Sequence, residues 1–220
     1  MEQDVHIPTT DGLLDCVLVN EGARKAVLFA PGFGQDSRHP RFKPLADALA
    51  AKGFAVLQMN YRHVAAKHGA DELTLAQMAE DFKAALAFVK ERYAKVGVVA
   101  KSISTIVYFL NAVPVPAVLW GPVIYPESNA NGYIRDFVNV KIKDLFSTHG
   151  FLKKEELAVR APMLIVHGSA DEISPLSNAE FLASHGAELH VIEGADHGYK
   201  TPSSMEEALR VTVEFLEKNV

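Results

Sequence analysis

Three residue types that together support relayed nucleophilic chemistry stand at the ends of strand-like runs in this chain of 220 residues, in the order serine, carboxylate, histidine. Ser102 follows the β-branched run of Val96, Val98 and Val99, in Ala100-Lys101-Ser102-Ile103-Ser104, and a helical pattern starts at once with no loop between. Asp171 lies in His167-Gly168-Ser169-Ala170-Asp171-Glu172-Ile173-Ser174-Pro175, directly after an apolar run, and His197 lies in Gly194-Ala195-Asp196-His197-Gly198, directly after the next. A serine hydroxyl is protonated at neutral pH, so it attacks only where a base takes its proton. An imidazole does this, and a carboxylate behind it fixes the tautomer and stabilises the cation that forms. Glu172 and Asp196 are alternative acids on the same turns, and Asp171 has a rival reading as a turn-former with Pro175.

The corner around Ser102 resembles the nucleophile elbow of α/β-hydrolases, G-x-S-x-G, with Ala100 and Ser104 in place of the glycines. Small residues suit such a corner because strand and helix backbones pass close together there. A serine on it has its hydroxyl pushed clear of the sheet, and the free N–H groups of the first helical turn point at whatever it attacks. The two later turns resemble the HGxxDxxxP acid turn and the G-x-x-H-G base turn of the same family, and the resemblance covers nearly the whole chain. It implies Ser102 as nucleophile, His197 as general base and then general acid, and Asp171 as the orienting carboxylate. It also implies an oxyanion hole made by the backbone N–H of Ile103 and of Phe33, in Pro31-Gly32-Phe33-Gly34-Gln35, where proline replaces the usual histidine.

The activity so implied is that of a serine hydrolase, a carboxylesterase acting on small or medium esters through an acyl-enzyme, with no cofactor and no metal. The chain looks like the compact esterases and the dienelactone-hydrolase-like members, although the latter commonly use cysteine. Gly34, Trp120 and Tyr125 are expected to join Phe33 in a modest apolar substrate pocket. The same triad would serve a thioesterase or a peptidase or amidase, and the departures at Pro31, Ala100 and Ser104 would also suit a non-catalytic binding protein on the same scaffold. Lys101 is expected to point to the surface, Ser104 and Thr105 to cap or back-bond their helix, and His167 to be structural. Because the imidazole accepts a proton only while neutral, activity is expected to fall as the medium is acidified.

The elements that must hold these turns follow from hydrophobic period. Residues 5–7 and 13–19 are short strand-like runs around Thr9-Thr10-Asp11-Gly12, which predicts a hairpin. Apolar runs at 25–30, 54–59, 96–100, 115–120, 162–167 and 188–192 predict strands, and 44–52, 74–93, 176–184 and 203–218 predict helices. The last carries an N-cap signature in Ser203 or Ser204 with Glu206 and Glu207 behind it. Alternation of this kind implies a mostly parallel sheet with helices on both faces, whose ligands bind beyond the carboxyl ends of the strands. Residues 121–160 change texture, rich in Pro, Asn and Gly, with helical patches near 133–138 and 153–159. They are expected as a short cap insertion in a single domain of residues 1–220.

Composition narrows the partners. A formal net charge of −5 with no long run of either sign lacks the electrostatic footprint for nucleic acid. No apolar run approaches the ~18 residues of a membrane helix, and the first residues lack a secretory pattern, so a cytoplasmic location is the default. Cys16 is the single cysteine, which excludes an intramolecular disulfide and a Cys-rich zinc site. The resemblance implies a small ester as the partner, and the oligomeric state is open.

Overall fold

The computed structural model describes residues 1–10, 12–32, 34–62, 74–124, 152–153 and 155–220. The hairpin is present as Glu2–Thr9 (β1) and Gly12–Val19 (β2), paired antiparallel. Then come Lys25–Ala30 (β3), helix Lys43–Ala51 (α1), Phe54–Gln58 (β4), helix Leu75–Arg92 (α2), Lys95–Lys101 (β5) and helix Ser104–Leu110 (α3). Ala117–Trp120 (β6), Met163–Gly168 (β7), helix Leu176–Ser184 (α4), Glu188–Ile192 (β8) and helix Pro202–Asn219 (α5) complete the described elements.

The strands form one sheet in the order β1-β2-β4-β3-β5-β6-β7-β8, parallel from β4 to β8 and antiparallel at the hairpin edge. The chain leaves β3 for β4 on one side and reaches β5 on the other. The carboxyl ends of β3 and β5 therefore flank the switch point at which open α/β sheets bind ligands.

Two apolar layers fix this arrangement, and alternation along each strand divides residues between them. Ala26, Leu28 and Ala30 of β3 face α2, α3 and α4, whereas Val27 and Phe29 face α1 and α5. In β5, Val98 and Ala100 take the first face and Val99 the second. Each large apolar side chain so buried contributes about 1.5–3 kcal/mol. The place of β5 is thus set by core packing, and the polar contacts at its end have only to orient what it carries.

Helix α2 starts with a capping box, in which Thr74 Oγ1 accepts from the Gln77 N–H (3.2 Å) and Gln77 Oε1 from the Thr74 N–H (2.9 Å). Helix α5 starts earlier than its serines suggest. Thr201 is the N-cap, accepting from the Ser204 N–H at 3.2 Å, because Pro202 has the φ and the missing donor suited to the first helical position. Glu206 and Glu207 consequently fall beyond the first turn. The expected patch at 153–159 is a turn over residues 155–157, closed by the Glu156 N–H donating to the Lys153 carbonyl, and the patch at 133–138 lies outside the described residues. Leu152 and Leu157 pack in the core, as do Val123 and Ile124. Among the described residues no helix is long and apolar enough to cross a membrane.

Candidate active site

Ser102 and Ile103 turn the corner between β5 and α3, and Ser102 has φ +55°. A side chain in this left-handed region costs about 1–2 kcal/mol. The strain is held by bonds on both sides of the residue. Its N–H donates to the Trp120 carbonyl (2.9 Å), and its carbonyl accepts from the Thr105 N–H (3.0 Å) and hydroxyl (2.7 Å). Thr105 thus back-bonds its helix as expected, and it also accepts from the Val123 N–H at 3.0 Å.

Ser104 behaves differently from that expectation. Its hydroxyl donates to the Pro31 carbonyl, so the Tyr61 hydroxyl, 2.6 Å away, must be the donor to it. The residue in place of the family's second glycine therefore hooks the elbow to the loop after β3. That loop passes close to Ser102, since a Cβ built on Gly32 would lie 3.4 Å from Ser102 Cβ.

Asp171 and His197 arrive on the turns after β7 and β8, which touch through a glycine. A Cβ on Gly168 would lie 2.2 Å from the Ala195 carbonyl oxygen, and the Ala170 N–H donates to that same oxygen at 3.0 Å. The His197 Nδ1–H donates to Asp171 Oδ2 at 2.7 Å, and His197 Nε2 lies 2.9 Å from Ser102 Oγ. An ionised carboxylate only accepts, so the ring proton sits on Nδ1 and the Nε2 lone pair is left to accept from the serine hydroxyl. The other oxygen of Asp171, Oδ1, accepts from the N–H groups of Ile173 (2.9 Å) and Ser174 (2.7 Å). Burial alone would push the Asp171 pKa up, but the bonds from His197, Ser174 and Ile173 outweigh it and hold the carboxyl below its ordinary value.

Glu172 and Asp196 hold other partners. Glu172 accepts from the His197 backbone N–H at 3.3 Å, and Asp196 pairs with Lys200 at 2.7 Å. His167 is fully buried, its Nε2–H donates to the Ser174 carbonyl at 3.0 Å, and burial pushes its pKa down, so it acts as a neutral brace under the acid turn.

The remaining expected positions divide. Ile103 has a buried side chain, and its N–H donates to no acceptor among the described residues. Gly34 is exposed with φ +63°. Phe33 and Tyr125 lie outside the described residues. Trp120 does not open into a pocket: it is 1% exposed, donates from Nε1 to Thr212 Oγ1 (2.9 Å) and stacks edge-on against Tyr199. Its place in β6 gives it the parity of Val118, which directs it between the sheet and α5.

Two positions escaped the sequence reading. Lys101, expected at the surface, is 2% exposed, and its ammonium donates to the His197 carbonyl at 2.9 Å. Gly121 follows β6 with φ +51°, and a Cβ there would stand 3.1 Å from His197 Nδ1 and 3.2 Å from Asp171 Oδ2. A glycine immediately after a strand was the available signal. Gly121→Ala is expected to destabilise the fold by about 1–3 kcal/mol through its backbone conformation and, by displacing the ring, to lower the phosphonate labelling rate of Ser102 about 100-fold. Thermal melts and labelling kinetics measure the two effects separately. Among the described residues no group of three His, Cys, Asp or Glu side chains is arranged to hold a metal ion.

No family model matches the chain. Among solved structures it is similar to Est1E from Butyrivibrio proteoclasticus (TM-score 0.81, 16% identity, 98% of each chain covered). It is also similar to the esterase Pf2001 from Pyrococcus furiosus (TM-score 0.77, 20% identity, 99% of this chain and 92% of that one). A dienelactone hydrolase from Anabaena variabilis aligns over 100% of this chain and 98% of its own, at TM-score 0.70 and 18% identity. The chain has the α/β-hydrolase fold.

Proposed function

We propose that this chain, an α/β-hydrolase by fold, is a serine hydrolase that cleaves carboxylic esters through an acyl-enzyme on Ser102. The observation that carries the reading is the continuous relay from Ser102 Oγ to His197 Nε2 (2.9 Å) and from His197 Nδ1 to Asp171 Oδ2 (2.7 Å), with the serine at a left-handed φ of +55°. Strain at such a site persists only where the surroundings over-determine it, and here they aim the hydroxyl at a base.

In the first step Ser102 Oγ bonds to the carbonyl carbon while its proton passes to His197 Nε2. The carbonyl π pair moves onto oxygen. That oxyanion is held by the Ile103 N–H, with the Phe33 N–H as the second donor, and each such donor contributes about 3 kcal/mol to the transition state. Collapse breaks the bond to the alkoxy oxygen, which leaves as the alcohol with the proton from Nε2–H. Water then repeats the sequence on the acyl-enzyme, giving the acid and restoring the serine. No step requires a cofactor or a metal.

The esterase and dienelactone hydrolase relatives in fold support an ester over other acyl compounds, and Est1E has been solved with ferulic acid bound. A panel of p-nitrophenyl esters of rising acyl length, an acyl-CoA and an aminoacyl amide tests this. Short- or medium-chain esters are expected to turn over fastest. Turnover of the acyl-CoA or the amide with esters no faster than buffer would keep the triad and overturn the bond assignment. Residues 125–151, which lie outside the described residues, belong to the proposed cap at 121–160. Gly34, Phe33 and Tyr125 are proposed to line the entry.

A further inference from the structure

Lys101 adjoins the nucleophile in sequence and is bonded to the base in space. As the last residue of β5 it has the parity of Val99, which directs its side chain under the turn that follows β8. There the ammonium donates to the His197 carbonyl at 2.9 Å and lies 5.6 Å from the centre of the Tyr199 ring. Tyr199 itself is buried at φ +50°, with its hydroxyl donating to the Val166 carbonyl at 2.8 Å. The segment that carries His197 is thus pinned from below by a lysine and held from behind by a strained aromatic residue. Among the described residues Lys101 has no carboxylate within ion-pairing distance, so its burial is not explained by a salt bridge.

We propose that Lys101 is a positioning residue for the hydrolytic reaction, tethering the His197 segment to the elbow so that the imidazole stays in line with the serine hydroxyl. The inference rests on the reading of Ser102 as nucleophile.

The charges around the ammonium bear on its own protonation. Asp171 and Glu172 on the turn after β7 and Asp196 on the turn after β8 face it with negative charge, and Arg41 before α1 adds positive charge. Glu172 and Asp196 are partly answered by Lys200, at 3.7 Å and 2.7 Å. Burial pushes the Lys101 pKa down to about 8, so the group remains mostly charged at neutral pH. Its folded value lies below the unfolded one of about 10.4, so the buried charge opposes folding below pH ~8, and this opposition fades as the pH rises through that window.

Tethering by a buried charge predicts that activity and stability move in opposite directions. Lys101→Met is expected to melt at or above the wild-type temperature at pH 7, since an apolar chain replaces an unpaired buried charge. Its kcat/KM for a p-nitrophenyl ester is expected to drop about 10- to 100-fold, carried by kcat with KM little changed. Lys101→Arg keeps a donor for the His197 carbonyl and is expected to recover part of that loss. A folded Lys101→Met with wild-type kcat would overturn the inference, as would a change in KM alone or a Lys101→Arg no better than Lys101→Met. Should wild type neither turn over esters nor label with a phosphonate, the hydrolase reading itself falls. That outcome is distinct, because the failure then appears before any substitution.

Discussion

Ser102→Ala is expected to lower kcat/KM for the best p-nitrophenyl ester by about 10⁴- to 10⁶-fold. Alanine keeps the left-handed backbone and the core contacts, so the melting temperature is expected to stay within a few degrees of wild type while turnover disappears. The size follows from how the parts act together. Without the hydroxyl, His197 has no proton to take, and only binding and the oxyanion donors remain to accelerate attack by water. A residual rate near wild type on the purified, folded variant would mean that the chemistry occurs elsewhere.

Asp171→Asn is expected to cost about 10⁴-fold in kcat at neutral pH, for a reason visible in the hydrogen bonds. The N–H groups of Ile173 and Ser174 both donate to Oδ1, so an asparagine must place its carbonyl oxygen there and its NH₂ toward His197. The ring would then accept at Nδ1, carry its proton on Nε2 and point that proton at Ser102. The base would become a donor without moving. The same substitution changes the response to acid. Because the folded carboxyl sits below its ordinary value, its contribution to stability is present above the unfolded pKa of about 3.9 and is lost as the pH falls through the lower folded one. Unfolding curves at pH 6 and pH 3 should therefore converge in the variant more than in wild type. A variant with wild-type kcat would show that Asp171 does not set the tautomer.

Much of this was legible because strands buried on both faces leave continuous apolar runs, and turn chemistry marks where they stop. The run of residues 25–30 coincides with β3 and that of 188–192 with β8, and the turns after β5, β7 and β8 carry Ser102, Asp171 and His197 to one place. Legibility failed where a residue's direction is decided by contacts distant in sequence. A lysine is ordinarily at the surface, and nothing in Val99-Ala100-Lys101-Ser102 reveals a carbonyl waiting 96 positions later. Trp120 looked like a pocket wall because it ends a strand, yet its parity sends it toward Thr212 on α5. Ser104 read as a helix residue, and only the fold brings Pro31 and Tyr61 to it. The cap of α5 fell on Thr201 because Pro202 takes the first helical position ahead of either serine.

These failures share a cause with the site's main economy. The groups that brace these turns, Lys101, Gly121, Ser104 and Tyr199, act through bonds to partners distant in sequence or through the lack of a side chain, and such roles leave no periodic trace.

Treatment with a fluorophosphonate, followed by intact mass measurement and peptide mapping, tests most directly whether the three turns form one reactive centre. One adduct per chain is expected, on Ser102, absent from Ser102→Ala and formed at least about 100-fold more slowly in His197→Ala. A folded chain that takes up no phosphonate, or takes it up at another residue, would contradict the account.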